Sequence, residues 1–316
     1  MRIKYYLLPA LPLFTFAFLV FSSYIDTQRL TGSRDAYLSF AMLQLLAFIL
    51  PAIFYCKAKG DQYVFELKLR VFGLEKAVFL IFSVMVMICL VTAVELLLRK
   101  FGISDGLYAH SVYTIYGRTL PELGGNVFDT LYTLVVFAVL PALTEEFLFR
   151  SVLYTEYEHL GAPAAIFLTA VIYSFLDMSA VAFIPSFAGG LLLGFSVYVT
   201  QSVFAPLVIH IVYNLYALFF EEYIWAFIAK PENEIFFTFV LITALLFCAT
   251  GMLSQAERVL YDKGMRGEAL PGYLRPYAEK NGGKLPSAAA GILRSVISPA
   301  YLICIVLFVL RVTGIV

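Results

Sequence analysis

The chain has 316 residues, 61% of them hydrophobic and 14% charged, with 30 Phe, 21 Tyr and a formal net charge of zero. That composition excludes a water-soluble globular protein, and the lack of any basic excess excludes nucleic acid as a partner. The four cysteines, Cys56, Cys89, Cys248 and Cys304, stand singly in apolar segments with no paired spacing, and are read as small buried hydrophobes.

Taken in order, the sequence predicts a series of spans. Arg2 and Lys4 precede an apolar run over 5–23, close to the roughly 20 residues a bilayer requires. It lacks a small-x-small cleavage site and is read as an uncleaved first helix. A second span covers 36–56, followed by a charged loop over 57–76. A third covers 77–98 and carries one acid, Glu95, near its end. From 99 to 129 the chain turns polar and Gly-rich, which predicts a loop with a short interfacial helix and the end of an amino-terminal part. Four spans follow, over 130–150, 164–179, 187–200 and 204–220. The third of these is short enough to cross incompletely. Acidic residues fill the connection to 235–251, a polar loop runs over 252–294, and a last span covers 296–312.

The expectation is an all-α, polytopic membrane protein with about eight or nine transmembrane helices. It has three parts: 1–129, a core over 130–220, and 221–316 with a cytoplasmic loop. The two loops richest in Lys and Arg, 57–76 and 252–294, fall on one side of such a topology. The positive-inside rule then places the amino terminus in the cytoplasm of a multi-pass cell-membrane protein.

Within the core, 141–150 reads PALTEEFLFR directly after an unbroken apolar run. Ionisable groups there cost roughly 2.5–3.5 kcal/mol each unless paired or facing a wet cavity. Glu146 and Arg150 are one helical turn apart on one face and can pair. Glu145, turned about 100° away, cannot easily share that partner. One carboxylate looks structural and the other available for chemistry. A second polar spot lies in VIHIVYNLY, where His210 and Asn214 share a helix face in an apolar span. A third is Asp177, in YSFLDMS; it sits either in a solvated loop between spans or in a shared cavity with the other polar residues. Gly190 and Gly194 form a small-xxx-small pattern that allows close helix approach, which packing alone also explains.

Together these phrases resemble the CPBP family of intramembrane proteases, which includes type II CAAX prenyl endopeptidases and bacterial Abi proteins. EEFLFR resembles its EExxxR motif and HIVYN its HxxxN motif. YSFLDMS stands where the family has FxxxH, so Asp177 replaces the usual histidine. The resemblance covers about 130–220. It implies peptide-bond hydrolysis in the membrane, with Glu145 as general base, Glu146 and Arg150 as a structural pair, and His210 and Asn214 as oxyanion donors. The implied substrate is a membrane-embedded or lipidated peptide, of CAAX or bacteriocin type. An ionised Asp177 only accepts hydrogen bonds, so beside Glu145 it implies a carboxyl pair sharing one proton. The resemblance fixes no cofactor, and a divalent metal stays open: Glu145, Asp177 and His210 are chemically able to ligate one. Two other readings stay open: an inactive family member acting as a membrane scaffold, and a small transporter that uses its intramembrane acids as a proton path.

Overall fold

In a bilayer every backbone N–H and C=O must be paired within the chain, which commits uninterrupted apolar runs to helix. The computed structural model describes residues 10–22, 33–103, 114–116, 118–119, 126–265 and 288–314. Helix α1 is Ala10–Ser22. Helix α2 runs through Ser33–Gln44, a π-type segment Leu45–Ile49, and Leu50–Lys59; α3 is Ala77–Lys100. The long α4, Val127–Leu160, contains two π-type segments, Val135–Val139 and Phe147–Leu153. Then come α5 (Ala162–Ser174), α6 (Ala180–Thr200), α7 (Phe204–Phe219), α8 (Glu221–Ile228), α9 (Pro231–Met265), α10 (Ala288–Val296) and α11 (Pro299–Val312).

Among the described residues, five helical stretches are long and apolar enough to cross a membrane: Asp35–Lys59, Leu74–Lys100, Val127–Leu160, Ala180–Thr200 and Pro231–Met265. A sixth arises if α7 and α8, bent by 54° at their junction, form one span. The all-α polytopic architecture therefore holds, while the tally of eight or nine counts α1, α5 and α11 as full crossings. Each of these has 10–17 residues among those described. At 1.5 Å per residue, a 13-residue helix such as α5 reaches roughly 20 Å against about 30 Å of hydrocarbon.

Three local expectations change. The stretch expected to be short, 187–200, belongs to a 21-residue helix that begins at Ala180, where the Ser179 hydroxyl accepts from the Ala182 N–H at 3.4 Å. Within 99–129, the described residues contain a small hairpin, in which β1 (Thr114–Ile115) pairs antiparallel with β2 (Arg118–Thr119); the stretches able to hold the expected short helix, 104–113 and 120–125, lie outside the described residues. Helix α9 continues to Met265, into the segment read as a polar loop. Arg2, Lys4 and most of the 252–294 loop lie outside the described residues. All four cysteines are free and buried.

The π-type segment in α2 and the first of the two in α4 each precede a Leu-Pro pair, Leu50-Pro51 and Leu140-Pro141. Proline has no N–H to give and leaves upstream carbonyls short of a donor. In α4 the Leu140 N–H reaches back to the Val135 carbonyl, so the next carbonyl, Val136, would look to residue 141 and find proline. A side chain from another helix fills the gap: Gln44 Nε2 donates to Val136 O at 3.3 Å. The Thr15 hydroxyl does likewise for Ala47 O, four residues before Pro51, at 2.8 Å. The prolines thus tie α1 to α2 and α2 to α4, and Asn214 Nδ2 adds a bond from α7 to the nearby Ala138 O at 3.3 Å.

Helix α6 is wedged between α3 and α5. A side chain at Gly190 would place its Cβ 3.1 Å from the Ala170 Cα, and one at Gly189 would meet the Met87 side chain. One apolar cluster, including Phe16, Phe48, Phe149 and Tyr301, joins α1, α2, α4, α5 and α11. A second, including Phe79, Met87, Leu193, Ile209 and Met252, joins α3, α6, α7 and α9. The polar groups of the core lie where α4, α5, α6 and α7 meet.

Candidate active site

Helix α4 carries Glu145, Glu146 and Arg150 into the interior, at 4%, 0% and 0% exposure. Glu146 is the hub. Its Oε2 lies 3.2 Å from Arg150 Nε, and its Oε1 lies 2.9 Å from His210 Nδ1 on α7. Arg150 is held from other sides as well. Its guanidinium carbon sits 4.3 Å from the centroid of the Tyr173 ring on α5, a cation–π stack, and its Nη2 donates to the Gly190 carbonyl at 3.5 Å. The glycine at 190 matters here, because a Cβ would lie 3.2 Å from the Tyr173 ring and push apart the helices that enclose Arg150. Arg150 Nη1 remains a buried donor with no hydrogen-bond partner among the described residues.

His210 has both ring nitrogens facing polar atoms: Nδ1 faces Glu146, and Nε2 lies 3.4 Å from the Tyr173 hydroxyl. Tyr173 thus bridges the arginine and the histidine, through its ring and its hydroxyl respectively. Asn214, one turn along from His210, is half-buried, with one amide N–H on the Ala138 carbonyl.

Glu145 points to a different neighbour. The Tyr116 hydroxyl donates to Glu145 Oε1. Tyr116 comes from the hairpin turn after β1, is 3% exposed, and packs its ring on Phe40 and Phe48 of α2, with centroids 5.9 and 5.4 Å apart. Its φ is 51°, a left-handed backbone that costs a non-glycine residue about 1–3 kcal/mol and persists only where packing fixes it. Burial, with the Glu145 and Asp177 carboxylates nearby, holds the Tyr116 hydroxyl well above the usual tyrosine range. It therefore remains a donor throughout the neutral range.

Asp177 is in the tight turn between α5 and α6, followed by Met178 with φ 52°. It is not simply solvated: its carboxylate is half-buried and accepts a hydrogen bond from Ser186 on α6. Ser186 and Tyr173 also line a small cavity of about 40 Å³ that Glu95 of α3 and Tyr213 of α7 share. That volume suffices for a water or two.

The arrangement therefore brings Glu146, Arg150 and His210 into direct contact. It gives Glu145 to Tyr116, Asp177 to Ser186, and Asn214 to the α4 backbone. Tyr116, Tyr173 and Ser186 are polar partners that motif reasoning does not single out. Tyr173 and Ser186 are flanking letters of the YSFLDMS phrase and the Gly-rich helix. Tyr116 had one available signal, the Thr-Ile-Tyr-Gly-Arg-Thr run, in which extended residues flank a two-residue turn. Among the described residues no three His, Cys, Asp or Glu side chains are grouped to hold a metal ion.

Compared with known proteins, residues 127–216 match a family model described as type II CAAX prenyl endopeptidase Rce1-like. No curated protein and no solved structure matches the chain.

Proposed function

We propose that this membrane protein, whose residues 127–216 match the model of the Rce1-like type II CAAX prenyl endopeptidases, hydrolyses a peptide bond in a prenylated, CAAX-type substrate, using water activated by Glu145. The observation that carries the reading is the division between two adjacent buried carboxylates. Glu146 is committed to Arg150 and His210, whereas Glu145 accepts from the Tyr116 hydroxyl at Oε1, which in this reading leaves Oε2 for the attacking water.

In this scheme Glu145 takes a proton from water as the oxygen attacks the scissile carbonyl carbon. His210 is oriented by Glu146 through Nδ1 and turns Nε2 toward the oxyanion. Asn214 adds the amide N–H that the α4 backbone leaves over. Glu145 then returns the proton to the departing amine. Asp177 shares a proton with Glu145, the device by which paired carboxyls activate water in aspartic proteases. Residues 1–129 and 221–316 flank the 130–220 core as membrane-embedded supports, the amino terminus faces the cytoplasm, and the host is the cell membrane.

One observation favours a second reading, an inactive scaffold: in the structure both His210 nitrogens are already engaged, by Glu146 and Tyr173. A direct test separates the two. The purified protein in liposomes is given a farnesylated, internally quenched CAAX-type peptide, and products are identified by mass spectrometry. The protease reading expects one defined cleavage by the parent and none by Glu145→Gln. Failure of the parent to cut, or equal cutting by Glu145→Gln, contradicts it.

A further inference from the structure

Three features of Tyr116 have no role in the chemistry described so far. It is a loop tyrosine, yet it is as buried as the core helices around it. It adopts a left-handed backbone that a tyrosine disfavours. Its ring is fixed by Phe40 and Phe48 so that the hydroxyl ends on Glu145 Oε1. Tyr116 also lies outside the segment that carries the family match.

A carboxylate acting as a base needs a defined orientation, because proton transfer falls off steeply outside hydrogen-bond reach. Among the described residues no arginine or histidine hydrogen-bonds Glu145, although the charge of His210 acts on it. Arg150 Nε and His210 Nδ1 both face Glu146, and the Asp177 carboxylate is held by Ser186, so the Tyr116 hydroxyl is the donor seated on Glu145. A strained residue held at a site by its surroundings is a motive to look for function there.

We infer that Tyr116 is a positioning residue for the hydrolysis: its hydroxyl pins one oxygen of Glu145 and so fixes the other toward the attacking water. The inference rests on the protease reading above. A hydrogen bond to the ionised form makes a carboxylate a weaker proton binder. The hairpin that carries Tyr116 is, on this account, part of the catalytic apparatus rather than a connection.

The test compares the parent, Tyr116→Phe and Tyr116→Ala in the liposome assay with the farnesylated, quenched peptide. Tyr116→Phe keeps the ring between Phe40 and Phe48 and removes only the hydroxyl. It is expected to lower kcat by about 10- to 100-fold with KM nearly unchanged, and to move the acidic limb of the pH–rate profile to higher pH. Tyr116→Ala loses the packing as well and falls further. The unfolding midpoint of Tyr116→Phe in detergent should match the parent, so that a rate loss is not a folding loss. A Tyr116→Phe protein that cuts at the parental rate with an unmoved acidic limb overturns the positioning role and leaves the protease reading standing. A parent that cuts nothing overturns both together.

Discussion

Two sets of charged side chains in this protein are built from similar parts and do different work. At one end of α4, where the chain leaves the apolar region, Lys59 pairs with Glu156 and Lys68 lies 2.6 Å from Glu158. The Lys68 and Glu158 side chains are 10% and 20% exposed, and Lys68 also donates to Gln201 at 2.9 Å. About two to three turns back along the same helix, Glu146 and Arg150 form a cluster with His210 of α7 at 0–4% side-chain exposure. The outer pairs have water as an alternative partner and the inner cluster does not. Position along one helix thus decides whether an ion pair is a convenience or a condition of folding.

The largest way to break that comparison is Arg150→Ala. Removing the cation leaves Glu146 buried with only His210, a loss of about 3–5 kcal/mol, so the variant should express poorly and unfold at lower temperature in detergent. A protein that melts with the parent would show that the inner cluster is no more costly than the outer pairs. Next comes Asp177→Asn. The amide can still accept from Ser186, so the fold should survive, but it cannot exchange a proton with Glu145. A loss of about 100-fold in kcat, equivalent to about 2.7 kcal/mol, is expected. In the parent, the pH–rate profile should be bell-shaped with both limbs belonging to the carboxyl pair. Asp177→His should keep or raise the rate. An active parent indifferent to Asp177→Asn would remove the pair from the mechanism.

A smaller effect is expected from Gln44→Ala. It orphans the Val136 carbonyl that Pro141 leaves without a donor, at a cost of roughly 1–2 kcal/mol, read as a lowered unfolding midpoint with the site chemistry intact. The smallest belongs to Lys59→Ala, expected to cost no more than about 1 kcal/mol because water replaces the lysine at Glu156. If thermal unfolding ranks Lys59→Ala with Arg150→Ala, the contrast between the two regions fails.

Much of this was legible in the sequence, for physical reasons. Helical spacing alone puts Glu146 and Arg150 on one face and turns Glu145 away, and the lack of water along that stretch makes a partner obligatory. Apolar run length marked the helices. It misjudged α6, because Ser179 caps the helix and brings Ala180–Phe187 into it. What the sequence does not carry is the register between helices. That His210 reaches Glu146, and that Asn214 reaches the Ala138 carbonyl, depends on the proline-widened turns of α4 and on close packing at Gly190. Tyr116 was the hardest to see. It is one of 21 tyrosines and lies in a Gly-rich polar stretch with no apolar period to assign it a face.

The division of labour between Glu145 and Glu146 is the central claim, and the paired variants Glu145→Gln and Glu146→Gln test it most directly. Each is measured for unfolding midpoint in detergent and for cleavage of the farnesylated peptide in liposomes. The account predicts that Glu145→Gln melts with the parent and cuts nothing, whereas Glu146→Gln melts at clearly lower temperature because Arg150 loses its counter-charge. Glu145→Gln cutting at the parental rate, or Glu146→Gln as stable as the parent, would contradict it.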